Sequence, residues 1–147
     1  MKILFLPFIL QAVLMAVDER IHTKRNLSLW ERIGHPLDTF TVVIAFTFLA
    51  LAPHTTFNLG IYIFLCIISC LFITKDEWVH QKECSPLEQW LHSVLFMLHP
   101  LVFVSAGIMW RKGYGEIFLG VLPFFVSLFM LFQIVRWSFY AKSKTNR

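Results

Sequence analysis

Five apolar runs dominate the chain, at positions 3–17, 37–52, 57–74, 94–110 and 117–135, and nearly all the charge is gathered between them. A helix that crosses the ~30 Å hydrocarbon layer needs roughly 17–25 mostly apolar residues. The first two runs are short on their own and must continue into the flanking polar sequence to span. The pattern predicts an all-α polytopic membrane protein with five transmembrane helices. The first run follows a single Lys2, with no small-x-small cleavage site ahead of Asp18. It is therefore expected to be a membrane helix rather than a signal peptide. One membrane domain covering 1–147 is expected, because the polar segments are too short to fold separately.

Composition sharpens the class. Hydrophobic residues make up 57% of the chain and charged residues 15%, with 16 Phe, whereas soluble domains carry about a quarter charged residues. A soluble enzyme with an appended domain is excluded. The net charge of +4 does not point to nucleic acid, because the basic residues sit at the ends of apolar runs and in the loops. With five spans, ten of the thirteen Lys and Arg residues fall on the side that holds 18–35, 75–90 and the C-terminal tail. The positive-inside rule puts that side in the cytoplasm and the N-terminus outside. Trp30, Trp78, Trp90 and Trp137 lie near the inner boundary and Trp110 near the outer one, as an aromatic belt requires. Cys66, Cys70 and Cys84 form neither CxxC nor a zinc spacing. Cys66 and Cys70 read as packing residues, and Cys84, four residues after His80, is a weak candidate ligand.

The polar residues repeat. Asp18-Glu19-Arg20-Ile21-His22 returns 58 residues later as Asp76-Glu77-Trp78-Val79-His80, with Lys24 matched by Lys82. Ser28, Glu31 and His35 return 57 residues later as Ser85, Glu88 and His92. Six of the nine acidic residues and four of the six histidines belong to this pattern. The chain therefore divides into two tandem helical-hairpin repeats, 1–56 and 57–113, that form a four-helix bundle, and an extra helix over 114–141. Ser28 with Glu31, and Ser85-Pro86 with Glu88, read as capping boxes that start the second helix of each unit. Glu19 and His22, like Glu77 and His80, are three apart; Glu31 and His35, like Glu88 and His92, are four apart. Each helix thus presents one Glu and one His on a shared face. Measured from the turns, all eight side chains fall within roughly two helical turns at one end of the bundle.

Four carboxylates and four imidazoles at a membrane edge repel and desolvate one another unless cations neutralise them, and mixed N/O donors suit iron, manganese or zinc. The candidate metal ligands are Glu19, His22, Glu31, His35, Glu77, His80, Glu88 and His92. Asp18 and Asp76, four residues before His22 and His80, are placed behind the ligands as hydrogen-bond partners, as is Asp38, one turn after His35. The inventory resembles the ferritin-like di-iron and di-manganese carboxylate proteins, in which two helices supply a Glu each and two supply Glu-x-x-His. Here Glu19-x-x-His22 and Glu77-x-x-His80 match the latter, and Glu31 and Glu88 the single glutamates. The match covers 18–35 and 76–92, and it departs from that pattern in helix order and in the two additional histidines, His35 and His92. It implies two divalent metal ions, iron foremost.

The expected activity is an oxidoreductase acting on a lipid-like or quinone-like substrate from the surrounding membrane lipid at the cytoplasmic boundary. The chain carries no electron-transfer module, so a separate reductase would be a partner. A metal-ion transporter or sensor is the alternative, weakened because the middles of the spans offer few polar residues. A metal-free structural protein, with Arg20, Arg32 and Lys82 paired to the carboxylates, is the bland reading. Bis-histidine haem is disfavoured by the carboxylates beside every histidine, and a zinc protease by the absence of HExxH. The topology is directly testable: a reporter fused after Arg147 is expected to be active only in its cytoplasmic form, and activity of an exported reporter at that site would reverse the orientation.

Overall fold

Helix starts in this chain are set where the sequence supplies a cap. The computed structural model describes residues 1–23 and 27–140, without the side chains of Asp76, Val79, Glu83, Phe139 and Tyr140. A short 3-10 turn leads into α1 (Leu6–His22). Ser28 and Thr55 then cap α2 (Leu29–Leu51) and α3 (Thr56–Phe72) by accepting the amides of Glu31 and Asn58. A second 3-10 turn, Ile73–Asp76, joins α3 to the short α4 (Glu77–Glu83). Ser85 caps α5 (Pro86–Arg111), with Pro86 in the first turn where its missing N–H costs nothing. The last long helix is α6 (Glu116–Val135), followed by a π-helical turn over Arg136–Tyr140. Helices two and five thus begin at Leu29 and Pro86, where the capping pattern puts them.

No strand occurs among the described residues. Four segments are long and apolar enough to cross a membrane: Leu29–Leu51, Thr56–Lys82, Pro86–Arg111 and Glu116–Ser138. The first helix, at 17 residues, is shorter. Their outward faces carry exposed side chains such as Ile63, Phe64 and Ile67 on α3 and Phe124 and Leu128 on α6. Exposed apolar surface of that extent suits hydrocarbon rather than water.

The helices pack in an order that a simple pair of hairpins does not give. α1 lies along α5, and α3 lies along α2, so the first helix of each expected unit rests on the second helix of the other. α6 packs along α2, and α3 also touches α5. The ring therefore runs α1, α5, α3, α2, α6, and α1 and α6 make no extended contact. A hydrophobic core fills the half of the bundle on the side of the α2–α3 turn: Ala45, Phe46 and Leu49 of α2, Tyr62 of α3, Phe103, Ala106 and Met109 of α5, and Leu119 of α6.

Hydrogen bonds across helices stand in for the hydrophobic drive that lipid does not supply. Tyr62 donates to the Phe103 carbonyl at 2.9 Å, and Trp110 Nε1 to the Ala52 carbonyl at 3.1 Å. Deeper in the bundle, Thr41 and Ser69 share a hydrogen bond of 2.7 Å, and Ser69 meets His99 Nε2 at 3.0 Å. Pro36 and Pro100 lie inside α2 and α5, which run on through them. The turn before α6 depends on Gly115, whose φ is +70° and where an added Cβ would lie 2.6 Å from the Met109 terminal methyl. Gly115→Ala is expected to lower stability by about 1–2 kcal/mol through left-handed backbone strain. Thermal unfolding in detergent checks this, and an unchanged midpoint would refute it.

Candidate metal centre

The site is built from helix ends. Glu31, the third residue of α2, accepts hydrogen bonds through Oε2 from the Ser28 amide and hydroxyl, both at 3.0 Å. The Ser28 hydroxyl in turn accepts from the Glu31 amide at 3.3 Å. The cap therefore clamps one carboxylate oxygen and turns the other inward, where Glu31 Oε1 lies 3.8 Å from His80 Nε2. Glu88 stands likewise at the third position of α5. Its amide bonds the Ser85 hydroxyl at 3.4 Å, and its Oε1 lies 3.7 Å from His22 Nε2. The facing pairs cross between the two segments: His22 with Glu88, and His80 with Glu31.

The histidine rings converge. His22 Nδ1 lies 2.8 Å from the Asp18 carbonyl oxygen. A carbonyl only accepts, so Nδ1 carries the proton and the Nε2 lone pair is left outward. His22 is 1% exposed, and its buried Nε2 has no hydrogen-bond partner. His92 Nε2 approaches Asp18 Oδ1 at 2.9 Å. Ring centroids of His22 and His35 are 4.9 Å apart, and those of His80 and His92 4.0 Å. Three sets of donor atoms close to within 4.8 Å: His22, Glu31, His35 and His80; His80, Cys84 and His92; and Asp18, His22 and His92. They overlap at His22, His80 and His92, so they form one continuous cluster that can hold metal ions.

The expected ligands fall into place unevenly. His22, Glu31, His35, His80 and His92 are brought together, and Glu88 faces them. Asp18, expected behind the ligands, is itself within the cluster. Glu19 stands beside it: its Oε1 accepts from Gln133 Nε2 at 3.1 Å, while its Oε2 is buried and has no hydrogen-bond partner. Glu77 is exposed and belongs to none of the three sets. The Asp76 side chain lies outside the described residues. Asp38 bonds Lys75 Nζ at 2.6 Å, tying α2 to the turn before α4. Cys84 joins through its i, i+4 spacing from His80. Gln133 and Trp137 of the last segment escaped sequence reasoning, and the one signal for Gln133 was a lone polar residue in an apolar run. Gln133 also accepts from Thr39 at 2.7 Å, which makes it the joint between α1, α2 and α6.

Two adjacent acids of α1 thus have different partners: Asp18 meets His92 and lies beside His22, whereas Glu19 accepts from Gln133. Among the described residues, the cations expected to pair with the carboxylates do otherwise: Arg32 Nε donates to the Leu27 carbonyl at 3.1 Å, and Arg20 and Lys82 are exposed.

A cavity of about 620 Å³ opens directly from the cluster. Its wall carries Asp18, Glu19, His35, His80 and His92 of the cluster, with Gln11, Asp38, Thr39, His99 and Gln133; the remainder is apolar, including Phe8, Ala12 and Phe46 together with Phe118, Leu122, Phe125 and Phe129 of α6.

No family model matches this chain, and neither a curated protein nor a solved structure matches it. The chemistry of the site therefore rests on its own geometry. Ser28→Ala removes the side-chain cap and the hydroxyl half of the clamp on Glu31, and keeps the bond from the residue-28 amide. It is expected to cost about 1 kcal/mol of stability and to weaken metal binding roughly tenfold, as loss of a ligand's supporting hydrogen bond does. Competition with a chromogenic chelator measures the second effect, and unchanged metal affinity would show that Glu31 is a cap alone.

Proposed function

We propose that the protein is an integral membrane di-metal protein, with iron as the leading candidate and manganese or zinc as the other ions its donors suit. The observation that carries this reading is His22: a buried imidazole with Nδ1 committed to a backbone carbonyl and Nε2 left without a partner, opposite Glu88. Metal-ligating histidines are held in this way. The crossed pairs, His22 with Glu88 and His80 with Glu31, support a duplicated unit. So does the crossed packing of α1 on α5 and α3 on α2. Two such halves would supply a near-twofold donor set, His22, Glu31 and His35 from one and His80, Glu88 and His92 from the other, with Asp18 as a further donor.

The reaction class that fits is oxidoreduction of a lipid-like or quinone-like molecule at the cytoplasmic boundary. Bound metal would supply Lewis acidity and an open coordination position, and electrons would come from a separate reductase. The chain's own residues would hold the metals, exclude water through the Phe-lined wall and place the substrate beside the donors. Glu19, fixed on one oxygen by Gln133, would sit between the metals and the cavity. A transporter is less well supported, because the cavity wall beyond these polar residues is apolar instead of continuing as a polar path.

Elemental mass spectrometry of protein purified in mild detergent tests the reading. About two equivalents of iron or manganese per chain are expected in the wild type and loss of most of it in the His22→Ala, His80→Ala double variant. Metal-free protein after anaerobic reconstitution, or metal retained by the double variant, would reduce the cluster to a structural polar cap.

A further inference from the structure

Resting on that reading, the geometry points to a slit between α1 and α6 as the lateral way in for one membrane amphiphile: a single hydrocarbon chain whose polar end donates a hydrogen bond.

Every other neighbouring pair in the ring is in contact, α3 and α5 only thinly, whereas α1 and α6 barely approach each other. These two helices meet only near the ends of the gap. At one end, Phe118 stacks edge-on with Phe5 and Phe8, each at 5.0 Å between centroids. At the other, Glu19 bonds Gln133 at 3.1 Å. Phe8 and Glu19 are 11 positions apart on α1, and Phe118 and Gln133 15 apart on α6, about 16 Å and 22 Å at 1.5 Å per residue. That is more than half of the ~30 Å hydrocarbon layer. The rim facing this gap is made of Ala12 and Ala16 on α1 and Phe125 on α6, all exposed and all lining the 620 Å³ cavity. Small side chains on one rim leave room for a chain to pass. The rings on the other give it an apolar wall leading to the donors.

A polar atom specifies the ligand's other end. One buried oxygen outside the donor sets, Gln11 Oε1, has no hydrogen-bond partner, and Gln11 lines the same cavity. Where water is scarce an unfilled acceptor costs free energy. It is an acceptor, so the group that satisfies it is a donor, such as the hydroxyl of a long-chain alcohol or of an isoprenoid quinol. The volume lies within the range of pockets that enclose one small molecule.

The test is photolabelling of the full chain in phosphatidylcholine nanodiscs with a long-chain alcohol bearing a mid-chain diazirine, followed by peptide mapping. Labelling is expected on the peptides that hold Ala12, Ala16, Phe125 and Phe129. Unlabelled alcohol or isoprenoid quinol should compete, and the stronger of the two identifies the source; the methyl ether of the alcohol should not. Ala12→Trp with Ala16→Trp is expected to lower site labelling about tenfold by filling the slit, whereas Val13→Trp on the outward face is not. Gln11→Leu, which preserves size and removes only the acceptor, guards against a misfolded double variant and should lower labelling severalfold. Label spread over the outward faces and insensitive to these variants, or equal competition by the ether, would overturn the proposal. Metal content measured on the same samples separates the two readings: normal metal without site labelling sinks the slit alone, and site labelling without metal sinks the di-metal reading alone.

Discussion

The structure turns on the cost of placing ring nitrogens and carboxylates together where water is scarce. Glu31 is 0% exposed, His22 1%, Glu88 2% and His80 3%. Charges held at that burial without compensation are expensive by several kcal/mol each. Local chemistry meets part of the requirement. Ser28 satisfies one oxygen of Glu31, and the Asp18 carbonyl takes the Nδ1 proton of His22. What remains are two approaches of ring nitrogen to carboxylate, His22 to Glu88 and His80 to Glu31, at 3.7–3.8 Å, longer than a hydrogen bond. The helix caps, the crossed packing and the fifth long helix all serve to hold that arrangement at one end of the bundle.

Much of this was legible in the sequence because it depends on local spacing. The caps at Ser28 and Ser85 fix where α2 and α5 begin, and i, i+4 spacing then puts Glu31 with His35 and Glu88 with His92. Glu31 also shows that capping and facing the cluster are compatible roles for one carboxylate, since each uses a different oxygen. What spacing could not decide was which of two adjacent acids turns inward. Asp18 and Glu19 are 100° apart on α1, and either can share a face with His22. The choice is made by α6, which has no counterpart in the repeat: Gln133 receives Glu19, and Asp18 is left to the histidines. Nothing equivalent to α6 packs on α5, and Glu77, the counterpart of Glu19, is exposed. Tertiary partners, invisible to periodicity, thus set the asymmetry between halves that the sequence presents as equal.

Hairpin pairing was the other inference that local pattern could not secure. Short turns suggest that α1 folds back on α2, yet α1 lies along α5 and α3 along α2. Crossing the partners places donors from both halves at a shared seam instead of in two separate hairpins. It also leaves the half on the side of the α2–α3 turn free to pack as a hydrophobic core around Phe46, Phe103 and Met109. The division of labour follows: rigidity from that half, chemistry from the cluster end, and a cavity between α1, α2, α5 and α6 that joins them.

Whether the unmet polar atoms reflect a site or merely loose packing can be judged within the same chain. In the middle of the bundle several polar side chains close their hydrogen bonds internally: Thr41 with Ser69, Ser69 with His99, Tyr62 with the Phe103 carbonyl. Those groups are satisfied at 2.7–3.0 Å. At the cluster end, His22 Nε2, His92 Nδ1 and Glu19 Oε2 are buried without hydrogen-bond partners. Gln11 Oε1, part-way along α1, is unmet as well, so the unmet atoms follow the cavity and the cluster it opens from. Ring nitrogen beside carboxylate oxygen is a donor set that could hold a divalent metal.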